Sequence, residues 1–426
     1  MSILLKGGRV IDPVSNIDKV MDILVEGGVI AEAGDLSKYY KSKDIEIYDA
    51  SGKAVTPGLI DIHAHLREPG FEYKEDIASG TRAAAAGGFT TVFCMPNTNP
   101  VNDNRAVTEY ILKQAAESGA CRVIPIGAIT KGSLGALLTE MGDMSEAGCP
   151  AFSDDGKPVA SSEVMRRALE YAKTFGLTII SHCEDPALSA GGVMNEGAVS
   201  TRLGLKGIPS AAEDVMVARD IELAKLTGGR LHLAHVSTAG SVGHVRRAKA
   251  AGVSVTAETC PHYFTLTDEA VSAYNTNFKV NPPLRTAADM EAVILGLADG
   301  TLDVIATDHA PHAASEKAVE FDLAPFGISG FETALALSLR LVETGRLSLK
   351  EVIEKLTVNP AKALGMAVPS LAPGARADVT VIDLGLVRTF DPADMLSKGK
   401  NTAYAGMTLT GWPVATMSGG AWTFKA

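Results

Sequence analysis

His63 and His65 stand one residue apart at the end of an apolar run that begins Leu59-Ile60-Asp61-Ile62. If the run is a strand, alternate side chains share a face, and both imidazoles turn toward one point, close enough to hold a single metal ion. Alone the pair is weak evidence, because a strand-end histidine is often no more than a hydrogen-bonded polar residue. Other apolar runs, however, end in the same chemistry. Ala151–Ser153 leads into Asp154, Asp155 and Gly156; Leu177–Ser181 into His182-Cys183-Glu184-Asp185; Leu231–His235 ends on His235 itself; and Val304–Thr307 leads into Asp308-His309-Ala310-Pro311-His312. His63, His65, Asp155, His182, His235 and Asp308 make four imidazoles and two carboxylates, more than one tetrahedral zinc takes up. The set suits two divalent ions bridged by a carboxylate and a hydroxide. His262 and His309 read as support behind the ligands. His232 is expected to face away from His235, and His244 to sit on a surface helix; neither is given a role.

For these residues to meet, the strands must run parallel with their ends on one face. Eight apolar runs recur, at Leu59–His63, Thr90–Met95, Arg122–Ala128, Ala151–Ser153, Leu177–Ser181, Leu231–His235, Val253–Ala257 and Val304–Thr307. Helical patterns lie between and after them, at Asn104–Glu117, Ser161–Phe175, Ala212–Leu226, Ala287–Leu297, Thr333–Glu343 and Ser348–Leu364, several opened by Ser, Asn or Thr as N-caps. Strand alternating with helix eight times indicates an α/β protein of the (β/α)8 TIM-barrel class. An open doubly wound sheet is the alternative; no G-x-G-x-x-G follows an early strand, and polar residues gather at the ends of many strands, as a barrel site requires. The chain ends read differently. Ile3–Ile11, Met21–Ala31 broken at Gly27-Gly28, Ile45–Ala50 and Gly52–Thr56 suggest a β meander, and Ala377–Asp383 with Thr402–Phe424 supply more strand. A small β-sandwich domain built from both termini is therefore expected, 1–56 with 366–426, around a barrel at 57–365.

Bulk properties narrow the class. The chain has 426 residues, of which 46% are hydrophobic and 21% charged, as in a folded globular protein. A net charge of -11, with no Lys/Arg stripe, argues against nucleic acid as a partner. No signal-like N-terminus or apolar span of membrane length is seen. Five scattered cysteines without a C-x-x-C pair suit reduced, buried thiols and a cytoplasmic location.

The motifs also carry a family resemblance. HAHLREPG at His63–Gly70, MPNTNP at Met95–Pro100, SHCED at Ser181–Asp185, AHVST at Ala234–Thr238, CPHYF at Cys260–Phe264, NPPLR at Asn281–Arg285 and ATDHAPH at Ala306–His312 resemble the longer bacterial dihydroorotases of the amidohydrolase superfamily. The match extends through the closing GARADVTVID segment. It implies a zinc-dependent cyclic amide hydrolase, with two Zn2+ per subunit, that interconverts N-carbamoyl-L-aspartate and L-dihydroorotate in pyrimidine biosynthesis. It also implies a homodimer and an association with aspartate transcarbamoylase. Many relatives bridge their metals with a carboxylated lysine; this sequence offers Asp155, with Lys157 nearby as the alternative, so activity independent of bicarbonate is expected.

Within that resemblance, Asp308 is general base toward the attacking water and then general acid toward the leaving nitrogen. Arg67 is expected on the same side as His65, pairing bidentately with the substrate carboxylate. Asn97, Asn281 and His312 match the family's other substrate contacts, and Pro325-Phe326-Gly327 a segment that touches the ring through its backbone. Allantoinases and the hydantoinases or dihydropyrimidinases are the enzymatic alternatives, and Arg67 separates them, because hydantoinase substrates lack the carboxylate. A non-catalytic partner of transcarbamoylase is the alternative of another class. The stretch Ala310–Gly330 reads either as a mobile loop over the site or as an ordered connection.

Overall fold

A computed structural model describes residues 2–426. Eight short parallel strands occupy the expected runs: Leu59–Ala64, Phe89–Cys94, Arg122–Pro125, Ala151–Ser153, Thr178–Ser181, Arg230–Leu233, Val255–Thr259 and Val304–Ile305. The first three form one parallel sheet and the last five another. Isolated parallel bridges, Gly127 with Phe152 and Ala64 with His309, join the edges of the two sheets. Strand pairing thus returns to its start as a ring. Ile60, Phe93, Ile124, Ala151, Ile180 and Val304, drawn from six of the eight strands, belong to one apolar cluster, and a larger cluster joins strands to helices.

The helices start where the sequence signals them. Asn104, Ser161 and Thr286 each accept a hydrogen bond from a first-turn backbone N–H, a cap that contributes about 1 kcal/mol. One expectation fails: Ser348–Leu364 is two helices, Leu349–Leu356 and Val358–Ala363. Thr357 leaves helical geometry at φ -136 and ψ -73, and Pro360 has no N–H to donate back to the preceding turn. A two-residue parallel pairing, Met194–Asn195 with Gly207–Ile208, was not legible in the pattern.

Strands from both chain ends share a single eight-stranded sheet. Ala54–Pro57 is the seam, antiparallel to Val379–Ile382. The expected strand from Thr402 begins only at Thr408, after a turn in which Met407 N donates to Tyr404 O. Asn401 Nδ2 donates to the carbonyls of Ala310 and Gly327 at 3.1 Å, and its Oδ1 accepts from His312 N at 2.8 Å. The C-terminal segment therefore braces the loop after Asp308. No helix among the described residues is long and apolar enough to cross a membrane. All five cysteines are free and buried; burial pushes the Cys149 thiol up to about 11 and Cys94 up to about 12, so both stay protonated at neutral pH.

Candidate metal centre

The ring brings the strand-end residues together. Two groups of donor atoms lie close enough to share an ion: His63, His65 and Asp155, and Asp155, His182 and His235. Asp155 belongs to both. Its Oδ1 lies 3.3 Å from His63 Nε2 and 3.5 Å from both His182 Nδ1 and His235 Nε2, while Oδ2 lies 3.5 Å from His65 Nε2. Asp308 stands outside both groups yet beside them, its Oδ1 3.1 Å from His65 Nε2 and 3.6 Å from His63 Nε2.

The donor set fits metal ions. His63 Nε2 and Asp155 Oδ1 are buried without a hydrogen-bond partner, and leaving such a group unpaired costs roughly 1–3 kcal/mol. His182 Nδ1 and His235 Nε2 converge at 2.7 Å. The charges ask for cations too. Burial opposes ionisation of Asp155, but His63, His182 and His235 hold its carboxyl well below the usual range. Burial likewise works against a charged His63, yet Asp155, Glu258 and Asp308 raise it well above the ordinary histidine value.

Three of these imidazoles are also gripped from behind. His63 Nδ1 faces Glu258 Oε1 at 2.5 Å, and Glu258 Oε2 takes His232 Nε2 at 3.1 Å; Thr256 Oγ1 completes the chain 2.8 Å from His232 Nδ1. His232, given no role from sequence, thus stands behind one of the candidate donors. His65 Nδ1 lies 2.8 Å from Asn97 Oδ1, and His182 Nε2 lies 3.3 Å from Glu184 Oε2. Asp61 accepts from Thr307 N and Thr307 Oγ1, at 3.0 and 2.5 Å, and from His63 N at 3.2 Å, tying the first strand to the eighth below Asp308. Three residues missed from sequence, Asp61, Glu184 and Glu258, are carboxylates set in or just after strand runs. That position was the available signal: an acidic residue in an otherwise apolar strand is out of place unless something pairs with it.

Of the two histidines expected behind the ligands, His309 is stacked on Phe331 and accepts at Nδ1 from Gly330 N; its own carbonyl accepts from His65 N at 2.8 Å. His262 is buried with Nε2 unpartnered and outside both donor groups. His244 contacts Arg247 away from the centre.

A cavity of about 180 Å³ opens over the donors, walled by Arg67, Asn97, Asn281, His312, Phe326 and Gly327. Arg67 reaches it by another route than the one expected. The strand stops at Ala64, and Arg67 takes a left-handed φ of 64, so a turn and not strand alternation aims the guanidinium. Its Nε donates to Pro311 O at 3.2 Å; burial pulls it down to about 10, which leaves it a cation. His235 and Asp308 share the positive φ, at 37 and 46, a conformation uncommon outside glycine that gathers at functional sites. His312 Nε2 donates to Phe326 O at 2.8 Å, and burial, then the cations Arg67, Lys317 and Lys74, push it down to about 3; it is neutral at physiological pH. Pro325 lies behind the wall, its carbonyl taken by Lys317 Nζ at 2.7 Å. The 310–330 stretch is tied down by that lysine, by the Lys74–Glu316 ion pair at 2.8 Å and by Asn401.

The profile of the Dihydro-orotase-like family matches residues 52–241. Proteins named dihydroorotase are similar over nearly the whole chain: one from Syntrophus aciditrophicus is 58% identical, covering 98% of both chains, and one from Pelotomaculum thermopropionicum 59%, covering 99% of this chain and 98% of its own. Among solved structures, the L-hydantoinase (dihydropyrimidinase) of Arthrobacter aurescens superposes with a TM-score of 0.89 at 26% identity, covering 99% of this chain and 96% of its own. The dihydropyrimidinase of Brevibacillus agri gives 0.86 at 23% identity, covering 100% and 95%.

Proposed function

The chain belongs to the dihydroorotase family, and from that premise we propose that it interconverts N-carbamoyl-L-aspartate and L-dihydroorotate at the centre around Asp155. The observation that carries this reading is one carboxylate common to two donor groups below a cavity walled by an arginine. His63 and His65 would hold one divalent ion, His182 and His235 a second, with Asp155 between; zinc is the expected metal for imidazole-rich donors. Ions held there polarise an amide carbonyl and make water a better nucleophile at neutral pH.

The chain's own residues supply the rest. Arg67 pairs with the free carboxylate of either substrate, orienting the scissile amide toward the donors. Asp308, beside His65 and His63, takes the proton from the attacking water and passes it to the ring nitrogen as the C–N bond breaks; in ring closure it does the reverse. His312, neutral and fixed by Phe326 O, adds a wall of defined hydrogen-bonding character. Phe326 and Gly327 close the cavity over the ring.

We read the strand ring as a (β/α)8 barrel over 57–365 and the terminal sheet as a β-sandwich from 1–56 and 366–426. Parallel bridges at both sheet edges support the first. One apolar cluster uniting Ile3, Val10 and Ile23 with Val379, Val381 and Met417 supports the second.

A second reading, hydantoinase or dihydropyrimidinase activity, draws on the likeness in fold. Arg67 argues against it, since those ring substrates carry no carboxylate for a buried cation to meet. Turnover of L-dihydroorotate, dihydrouracil and allantoin on one preparation tests the assignment: L-dihydroorotate should be strongly preferred, and preference for either of the others would overturn it.

A further inference from the structure

Asn281 is held in one orientation. Its Nδ2 donates to Glu184 Oε2 at 2.6 Å, while its Oδ1 is buried without a partner and the residue lines the cavity. Turning the amide over would set oxygen against a carboxylate oxygen, so the network and not the electron-rich end alone decides which atom is presented. Glu184 is itself fixed on two more sides, by Ser189 Oγ donating to Oε1 at 2.5 Å and by His182 Nε2 at 3.3 Å from Oε2. One carboxylate therefore touches both a metal-site imidazole and a cavity-wall amide.

We propose that Glu184 is a positioning residue that makes Asn281 an obligate hydrogen-bond acceptor toward an N–H of the substrate and keeps His182 turned with Nδ1 to Asp155. The inference rests on the reading that the cavity binds a cyclic amide with ring N–H groups. It adds a selection rule: an analogue whose N–H nearest Asn281 is methylated leaves Oδ1 unpaired and is rejected, because a buried acceptor without a donor is costly.

The test is a swap across the pair, read by KM, kcat and metal retention. Asn281→Asp sets two carboxylates against each other and should raise KM for L-dihydroorotate about 10- to 100-fold. Adding Glu184→Gln supplies a donor to the new carboxylate, leaves its other oxygen facing the substrate, and should recover most of that loss. Glu184→Ala should raise KM and also speed the loss of zinc to a chelator, whereas Asn281→Ala should raise KM alone. If the double variant is no better than Asn281→Asp, or if Glu184→Ala and Asn281→Ala are additive in kcat/KM, Glu184 is not the positioning group. Should Glu184→Ala fail to fold, the swap still decides. A wild-type protein that does not turn over L-dihydroorotate would instead refute the reading of the site, a separate outcome.

Discussion

Glu258 Oε1 lies 2.5 Å from His63 Nδ1, so the ring nitrogen turned away from Asp155 is engaged from the seventh strand. The same carboxylate takes His232 and the backbone N–H of His235, linking ligands of both donor groups. Glu258→Ala leaves two buried imidazoles without their acceptor and should weaken zinc binding by about 10- to 100-fold. Zinc content after dialysis against graded chelator measures this. Retention equal to wild type would remove Glu258 from the support of the centre.

In the proposed reading Arg67, on the cavity wall, supplies the charge that separates an acidic ring substrate from a neutral one. Arg67→Met removes a charge-assisted pair of roughly 1.5–3 kcal/mol, so kcat/KM for L-dihydroorotate should fall about 10- to 100-fold or more. Hydrolysis of dihydrouracil, slow in the wild type, should not fall in parallel. Equal losses on both substrates would show that the guanidinium shapes the site without reading the carboxylate.

Asp308→Asn keeps the size of the side chain and removes its basicity. Binding of L-dihydroorotate should survive while kcat drops about 100- to 10,000-fold, the usual contribution of a positioned acid or base. Single-turnover rates beside equilibrium binding separate the two effects. Near-normal turnover would exclude Asp308 as the proton carrier.

Lys355 gives stability a pH dependence far from the centre. It is buried on the helix Leu349–Leu356, donates to Leu302 O at 2.8 Å, and burial lowers its ammonium from 10.5 to about 8. Between those values the unfolded chain keeps a proton that the folded chain has released, so stability rises with pH across that window, by up to about 3 kcal/mol. Lys355→Met lacks this rise. Denaturation midpoints of the two proteins at pH 8 and pH 10.5 should therefore diverge in favour of wild type at the higher pH; a constant difference would contradict the buried charge.

What sequence reading could reach was set by geometry that repeats. Strand alternation and the common polarity of parallel strands are enough to gather His63, His65, Asp155, His182, His235 and Asp308, because each ends or closely follows an apolar run. Arg67 lies beyond the strand, where a left-handed turn, not alternation, brings it to the cavity wall. For the supporting carboxylates Glu258, Glu184 and Asp61, an acid in or just after an apolar strand signals that something pairs with it, but each also reaches a residue 23 to 246 positions distant, and nothing local names that partner. Strand alternation points His232 away from His235, yet both reach Glu258, His232 through its ring and His235 through its backbone N–H. The break at Thr357 follows from a local cause, a proline in a helical pattern, and the strand starts late, at Thr408, because a turn precedes it.

The proposed centre is a metal-dependent dihydroorotase site built around Asp155. Its most direct test is to strip the protein of metal and titrate zinc back while following L-dihydroorotate hydrolysis and bound zinc together, in wild type and Asp155→Ala. Wild type should be inactive when stripped and regain turnover as zinc fills to two per chain, and the variant should neither hold two ions nor recover. Turnover without metal, or two ions retained in Asp155→Ala, would contradict it.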